Sequence, residues 1–290
     1  MRIANVSGRL TLLTGDRHGL DVAEASGGTF AADPQAVYER WDEFTAWAAA
    51  ALSTALGGDT ASAREFSPED LGPPAPLPRQ VLAIGLNYRS HADESGFGTP
   101  ETAPPVFTKF ASCLTGPRGT ITLPPGGHTD WEVELVAVIG RRGQHVSQED
   151  AWGHVAGLAV GQDLSERISQ LAGPAPQFSL GKSFAGFGPI GPWLVSTDEF
   201  ANPDDLELGC AINGEEVQKA RTSDLLFSVP ALVASLSRTV TLLPGDVIFT
   251  GTPAGVGMGR DPQRWLAPGD ELVTWIEGIG QLRHRFAAAG

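Results

Sequence analysis

Residues 130–140 read Asp-Trp-Glu-Val-Glu-Leu-Val-Ala-Val-Ile-Gly, and this run constrains the fold more than any other. Taken as a strand, its alternation sends Glu132, Glu134, Val136 and Val138 to one face and Val133, Leu135, Ala137 and Ile139 to the other. Both faces turn apolar within two residues, the pattern of a strand covered on both sides. The chain must therefore supply a layer above it and a layer below it. Two carboxylates enter the covered region with the strand, and unpaired buried charge is costly enough that they need a cation. The other reading places them at a solvated strand end.

A second apolar strand, Val155 to Val160, runs on through Gly161 and Gln162 to Asp163. Three carboxylates with water completing the shell suit a hard divalent ion, Mg²⁺ first and Mn²⁺ or Ca²⁺ next, whereas zinc calls for His or Cys. Cys113 and Cys210 are far apart with no zinc-type spacing, and read as reduced, partly buried thiols.

Further strands are expected at Val81 to Leu86, Gly119 to Leu123, Leu206 to Ile212, Val247 to Thr250 and Glu271 to Ile276. Helical stretches are expected after Ser147-Gln148-Glu149-Asp150 and over Ser223 to Ser237. With 36 Gly and 22 Pro, a fifth of the 290 residues, the chain turns too often for a helical bundle. The order is mixed and not strictly alternating, which disfavours a doubly wound nucleotide-binding sheet.

Before these elements come strands at Arg2 to Val6 and Leu10 to Leu13. A helix follows through Val37, Trp41, Phe44 and Trp47 to Leu56, stopped by Gly57-Gly58. Five prolines within Ser67 to Pro78 read as a linker. The expected division is a small N-terminal α/β domain over 1–75 and a larger, mainly β domain over 76–290, an α+β chain overall.

Charge narrows the partners. The 34 acidic against 20 basic residues give a net charge of −14, which argues against nucleic acid or an anionic membrane and for a small ligand. With no signal-like or membrane-spanning apolar run, the expected location is cytoplasmic.

Three more segments carry candidate chemistry. In Gly85-Leu86-Asn87-Tyr88-Arg89-Ser90-His91-Ala92-Asp93-Glu94, His91 and Glu94 share a face if the turn is helical, so the carboxylate can orient an imidazole acting as general base on water; the plainer reading is a surface pair. Lys182 stands among small and apolar residues, either snorkelling to the surface or holding an oxyanion in a pocket. Thr250 to Gly257 is a strand end running into a Gly-rich turn whose amides can approach an anion; it lacks the Gly-Lys-Ser/Thr of a phosphate loop.

Taken together, Gly-Leu-Asn-Tyr-Arg-x-His, Asp-Trp-Glu-Val-Glu-Leu, Asp163-Leu164-Ser165-Glu166-Arg167, Gly181-Lys182-Ser183-Phe184 with Gly188-Pro189-Ile190-Gly191-Pro192-Trp193, and Thr250-Gly251-Thr252-Pro253-x-Gly255-Val256-Gly257 resemble the fumarylacetoacetate hydrolase superfamily from about residue 80 to 285. The branch it most resembles includes hydrolases of acylpyruvates and 2,4-diketo-3-deoxy sugar acids. The resemblance implies a mixed β-roll, a homodimer, and a divalent metal on Glu132, Glu134 and Asp163. It further implies a His91–Glu94 dyad that activates water, a catalytic Lys182, and Arg167, Gln170, Thr252 and Tyr88 at the substrate. Many members carry an acid after that arginine, where this chain has Ile168.

The implied activity is hydrolysis of a carbon–carbon bond in a 2,4-diketo acid. Alternatives on the same cradle are decarboxylation or isomerisation of oxaloacetate-like acids, a non-catalytic organic-acid-binding module, or a purely structural metal. The segment Gly96 to Pro105 is expected to close over the site.

Overall fold

The computed structural model describes residues 1–56, 63–96, 98 and 100–290. The expected helix stop at Gly57-Gly58 and part of the expected closing segment, residues 97 and 99, lie outside the described residues.

The acid-bearing strand, Val133–Ile139, is buried at every position. It pairs antiparallel with Val155–Gln162 on one side and with Val247–Phe249 on the other. Val247–Phe249 in turn runs parallel to Val81–Ile84, so the sheet is mixed. Among the described residues this sheet has twelve strands. A second, five-stranded sheet is built from Glu215–Arg221, Glu207–Ile212, Glu271–Ile276, Gly280–Ala287 and Arg118–Thr122.

The two faces of Val133–Ile139 feed two separate cores, as its alternation requires. Leu135, Ala137 and Ile139 pack with Leu208, Ile212, Leu272 and Leu282 of the five-stranded sheet. Val136 and Val138 pack with Ile3, Leu10, Tyr38, Trp41 and Phe44. The first 75 residues thus form the layer on the face that carries the acids. The boundary expected near residue 75 does not interrupt the sheet, because Arg2–Val6 pairs antiparallel with Gly188–Val195.

Gly188–Val195 is the main strand that the sequence reading overlooked. It lies in the sheet between Arg2–Val6 and Val155–Gln162, although it contains Pro189 and Pro192. Its register against Val155–Gln162 shifts across the stretch holding Pro192, so the ladder is irregular where proline offers no N–H. Gly280–Ala287 was also overlooked: its inward side chains are Leu282, His284 and Phe286, and the histidine breaks the apolar pattern. Conversely, the helix expected after Asp150 is a single 3₁₀ turn, Ala151–His154, because the chain enters the strand at Val155 immediately afterwards. The later helix is shorter than expected, Val229–Ser237, capped by the Ser228 hydroxyl on the Ala231 amide with Pro230 in its first turn.

Candidate active site

The antiparallel register holds the end of Val133–Ile139 beside the end of Val155–Gln162, and the Asp163 amide donates to the Glu132 carbonyl. Two strand ends therefore bring Glu132, Glu134 and Asp163 into one buried group, with one carboxylate oxygen of each lying within 4.8 Å of the others. The solvated-strand-end reading does not hold, since Glu132 is 4 % exposed and the other two less.

Cations meet part of this charge. The Lys182 ammonium donates to Glu132 Oε2 at 2.8 Å and to Asp163 Oδ2 at 2.6 Å. Lys182 is itself buried, so the snorkelling reading is excluded. A second lysine, Lys109, donates to Asp163 Oδ1 at 2.6 Å and to the backbone carbonyl of Lys182. The Arg167 guanidinium reaches Glu132 Oε1 at 2.8 Å, and its Nε and Nη2 donate to Asp130 Oδ2 at 2.9 and 2.7 Å. Gln170, one turn on, accepts from Arg167 Nη1 at 2.8 Å.

Glu134 is treated differently. Its Oε2 accepts the Gly251 amide at 2.7 Å, and neither lysine bridges to it. Burial, then the neighbouring Asp163 and Glu132 charges, push its carboxyl well above the usual range. At Glu132 burial pushes the same way, but Lys182 and Arg167 overcome it and hold the carboxyl low. Burial opposes charge on Lys182 too, yet Asp163 and Glu132 raise its pKa. Four acids, Asp130, Glu132, Glu134 and Asp163, thus face three cations. An all-oxygen donor set with one uncompensated member fits a hard divalent cation.

The Gly-rich turn does bind carboxylates through its amides, but they are the protein's own. Gly251 N serves Glu134, Gly255 N serves Glu94 at 3.0 and 3.1 Å, and Gly257 N and Met258 N serve Asp130 at 2.6 and 3.0 Å. Gly251 and Gly255 have φ of 103° and 106°, a region closed to most side chains, so glycine is what lets these amides point inward.

His91 lies on the short helix Arg89–Ser95, with Nδ1 3.6 Å from Glu94 Oε2. His91 lines a cavity of about 220 Å³ together with Glu132, Arg167, Gln170, Lys182 and Thr252. Thr252 Oγ1 accepts from Gln218 Nε2, which also donates to the Pro253 carbonyl. Tyr88 does not line the cavity. Its ring is buried in the core with Leu82, Ile84 and Trp131, outside the cavity wall, and its hydroxyl has no hydrogen-bond partner among the described residues. The N-cap position of the helix turns Tyr88 inward while His91, three residues on, faces the cavity.

Lys109, Asp130 and Gln218 were not singled out from sequence. Asp130 opens the Asp-Trp-Glu run and was visible as part of a motif. Lys109 and Gln218 carry no periodic signal.

A family profile described as fumarylacetoacetate hydrolase, C-terminal, matches residues 80–287. The chain belongs to the fumarylacetoacetate hydrolase family. Within it, the human mitochondrial oxaloacetate tautomerase FAHD2A is 43% identical over 210 residues, covering 72% of this chain and 67% of that protein. The 2,4-didehydro-3-deoxy-L-rhamnonate hydrolase of Sphingomonas sp. (strain SKA58) is 41% identical over 238 residues, covering 81% and 83%. Among solved structures, a Mycobacterium smegmatis protein designated HpcE superposes with a TM-score of 0.91 at 57% identity, all of both chains covered. Maleylpyruvate hydrolase from Sphingobium sp. SYK-6, solved with a manganese(II) ion and pyruvate, gives 0.80 at 27%, again over both whole chains. Members of the fumarylacetoacetate hydrolase family are thus enzymes of more than one reaction type, hydrolases and tautomerases among them, and bind divalent metal. No helix among the described residues is long and apolar enough to cross a membrane.

Proposed function

We propose that this chain is a divalent-metal-dependent hydrolase that cleaves a carbon–carbon bond in a 2,4-diketo acid of the acylpyruvate type. The observation that carries the reading is that His91, with Glu94 beside it, shares one cavity with Glu132 and Lys182 of the buried carboxylate cluster. Glu132, Glu134 and Asp163 would hold Mg²⁺, or Mn²⁺ or Ca²⁺, which when bound supplies Lewis acidity toward a 2-oxo acid.

The chain's own residues then divide the work. Arg167, Gln170 and Thr252 orient the polar end of the substrate. Glu94, pinned by the Gly255 amide, lies 3.6 Å from His91 Nδ1 and orients the imidazole as it takes a proton from water. Water oxygen bonds to the acyl carbonyl carbon and the bond between C3 and that carbon breaks. Its electron pair passes to the pyruvate fragment as an enolate beside the Lys182 ammonium, and the proton returns to C3 to give pyruvate and a carboxylic acid.

The identity to an oxaloacetate tautomerase supports a second reading, in which the same cavity interconverts keto and enol forms with no water attack. A Mg²⁺-dependent screen of acylpyruvates, diketo sugar acids and oxaloacetate with product identification separates them. Release of pyruvate and a carboxylic acid supports hydrolysis; exchange of oxaloacetate tautomers without cleavage replaces it. A homodimer and a cytoplasmic location complete the proposal, to be checked by sedimentation and by fractionation of the native cells.

A further inference from the structure

Gln218 lies on Glu215–Arg221, an edge strand of the five-stranded sheet whose other polar side chains are exposed, yet it is only 2 % exposed itself. A bulge accounts for this. The pairing with Glu207–Ile212 shifts between Cys210 and Ala211, so Val217 has no partner of its own, and Val217 and Gln218 are both buried in succession. Once inside, the amide is fully used. Its Oε1 accepts the Val133 amide at 2.9 Å, and its Nε2 donates to the Pro253 carbonyl at 2.8 Å and to Thr252 Oγ1 at 2.9 Å.

A side-chain amide fits either way round by shape, so its partners must decide the orientation. Here two backbone groups do. The Val133 N–H can only donate and the Pro253 carbonyl can only accept, which leaves the nitrogen facing Thr252. Thr252 is therefore an acceptor toward Gln218, and its own proton must point elsewhere. Among the described residues, no other side chain or backbone group accepts that proton. Thr252 itself lines the cavity, together with Arg167 and Gln170.

We propose that Gln218 is a positioning residue: by occupying the Thr252 oxygen from behind, it makes that hydroxyl a fixed donor to a carboxylate oxygen of the bound acid. Without it the hydroxyl is free to rotate and to present lone pairs, which repel an anion. Gln218 touches no substrate and acts only through Thr252. A purely structural glutamine would tie Val133 to Pro253 and leave ligand binding indifferent to the third bond. The inference rests on the reading that a 2-oxo acid occupies the cavity.

The test is calorimetric titration of pyruvate into the Mn²⁺-loaded protein, Gln218→Met, Thr252→Val and the double variant. Each single substitution should weaken pyruvate binding by at least about tenfold, the scale of one hydrogen bond to a charged group. The double variant should bind no more weakly than Thr252→Val, because the glutamine acts through that hydroxyl. Mn²⁺ affinity measured without pyruvate should be unchanged in Gln218→Met. Because this substitution also strands the Val133 amide and the Pro253 carbonyl, a neutron structure of the unmodified Mn²⁺–pyruvate complex reads the same point without a variant: the Thr252 deuteron should lie toward the bound carboxylate. A deuteron directed at Gln218 or Pro253, unaltered pyruvate affinity in Gln218→Met, losses that multiply in the double variant, or a parallel loss of Mn²⁺ affinity overturns the inference. Coupled losses without cleavage of any acylpyruvate sustain it while removing the hydrolase reading. Cleavage with independent losses does the reverse, and neither pyruvate binding nor cleavage by the unmodified protein overturns both.

Discussion

Glu132 and Glu134 point the same way from one stretch of chain, two residues apart and equally buried, yet their surroundings drive them in opposite directions. Glu132 has Lys182 on one oxygen and Arg167 on the other, and is held ionised. Glu134 has a backbone amide and two like charges for neighbours, and is driven toward the neutral form. Burial is common to both, so the difference comes from which cations reach which oxygen. Glu134 is therefore the member of the cluster whose charge the protein's own cations do not offset, and the one a divalent ion would serve most directly.

Removing the cation that serves two acids should have the largest effect. Lys182→Met leaves Glu132 and Asp163 short of a buried countercharge and should destabilise the metal-free protein by about 3 kcal/mol or more, read from denaturant unfolding. An unchanged midpoint would mean that Lys182 is not what compensates them.

Next comes the loss of the proposed base. His91→Ala should lower kcat by roughly 10² while leaving KM within a few-fold, because binding uses the other end of the site. A variant that turns over at the unmodified rate removes His91 from the chemistry and leaves the two glutamates as the sole functional contrast.

The sharpest test of the contrast compares two isosteric changes. Glu132→Gln strands Lys182 and Arg167 and should cost about 2 kcal/mol in the metal-free protein, whereas Glu134→Gln replaces an acid already driven toward its neutral form and should cost less than about 1 kcal/mol. Both should blunt the rise in melting temperature produced by Mn²⁺, which at a hundredfold excess over Kd is worth about 2.7 kcal/mol in the unmodified protein. Equal destabilisation by the two substitutions would erase the distinction.

His284 tests the same rule away from the site. It is buried within the five-stranded sheet, its Nε2 donating to the Gly116 carbonyl at 3.0 Å, and burial lowers its pKa to about 4. Between the unfolded value near 6.5 and about 4, the unfolded chain takes up a proton that the folded histidine refuses. Its contribution is complete above about pH 6.5 and is lost as pH falls through this window, by up to about 1.4 kcal/mol per pH unit. His284→Gln should flatten that part of the stability profile; an unaltered slope would show that this histidine is not buried neutral.

Much of the design can be read along single segments. The alternation of residues 130–140 announces a strand covered twice and carrying acids inward, and the structure places Leu135 and Val136 in different cores accordingly. The spacing of His91 and Glu94 announces one helical face, and both residues lie on Arg89–Ser95. Single segments misled where a neighbour decided the outcome. Pro189 and Pro192 speak against a strand until two partners supply an irregular ladder, and Tyr88 sits in a motif with His91 but is turned into the core.

What the sequence determined alone is therefore each element's inside and outside, because periodicity is a property of one strand or helix and needs no partner. Tertiary structure decided which charges meet. Lys109 is 54 residues from Asp163, and Gly251 is 117 residues from Glu134. Only the register of strands and the inward turn of a glycine loop bring them together. Protonation followed from those meetings, since Coulomb interactions depend on distance in space and no pattern along the chain records it.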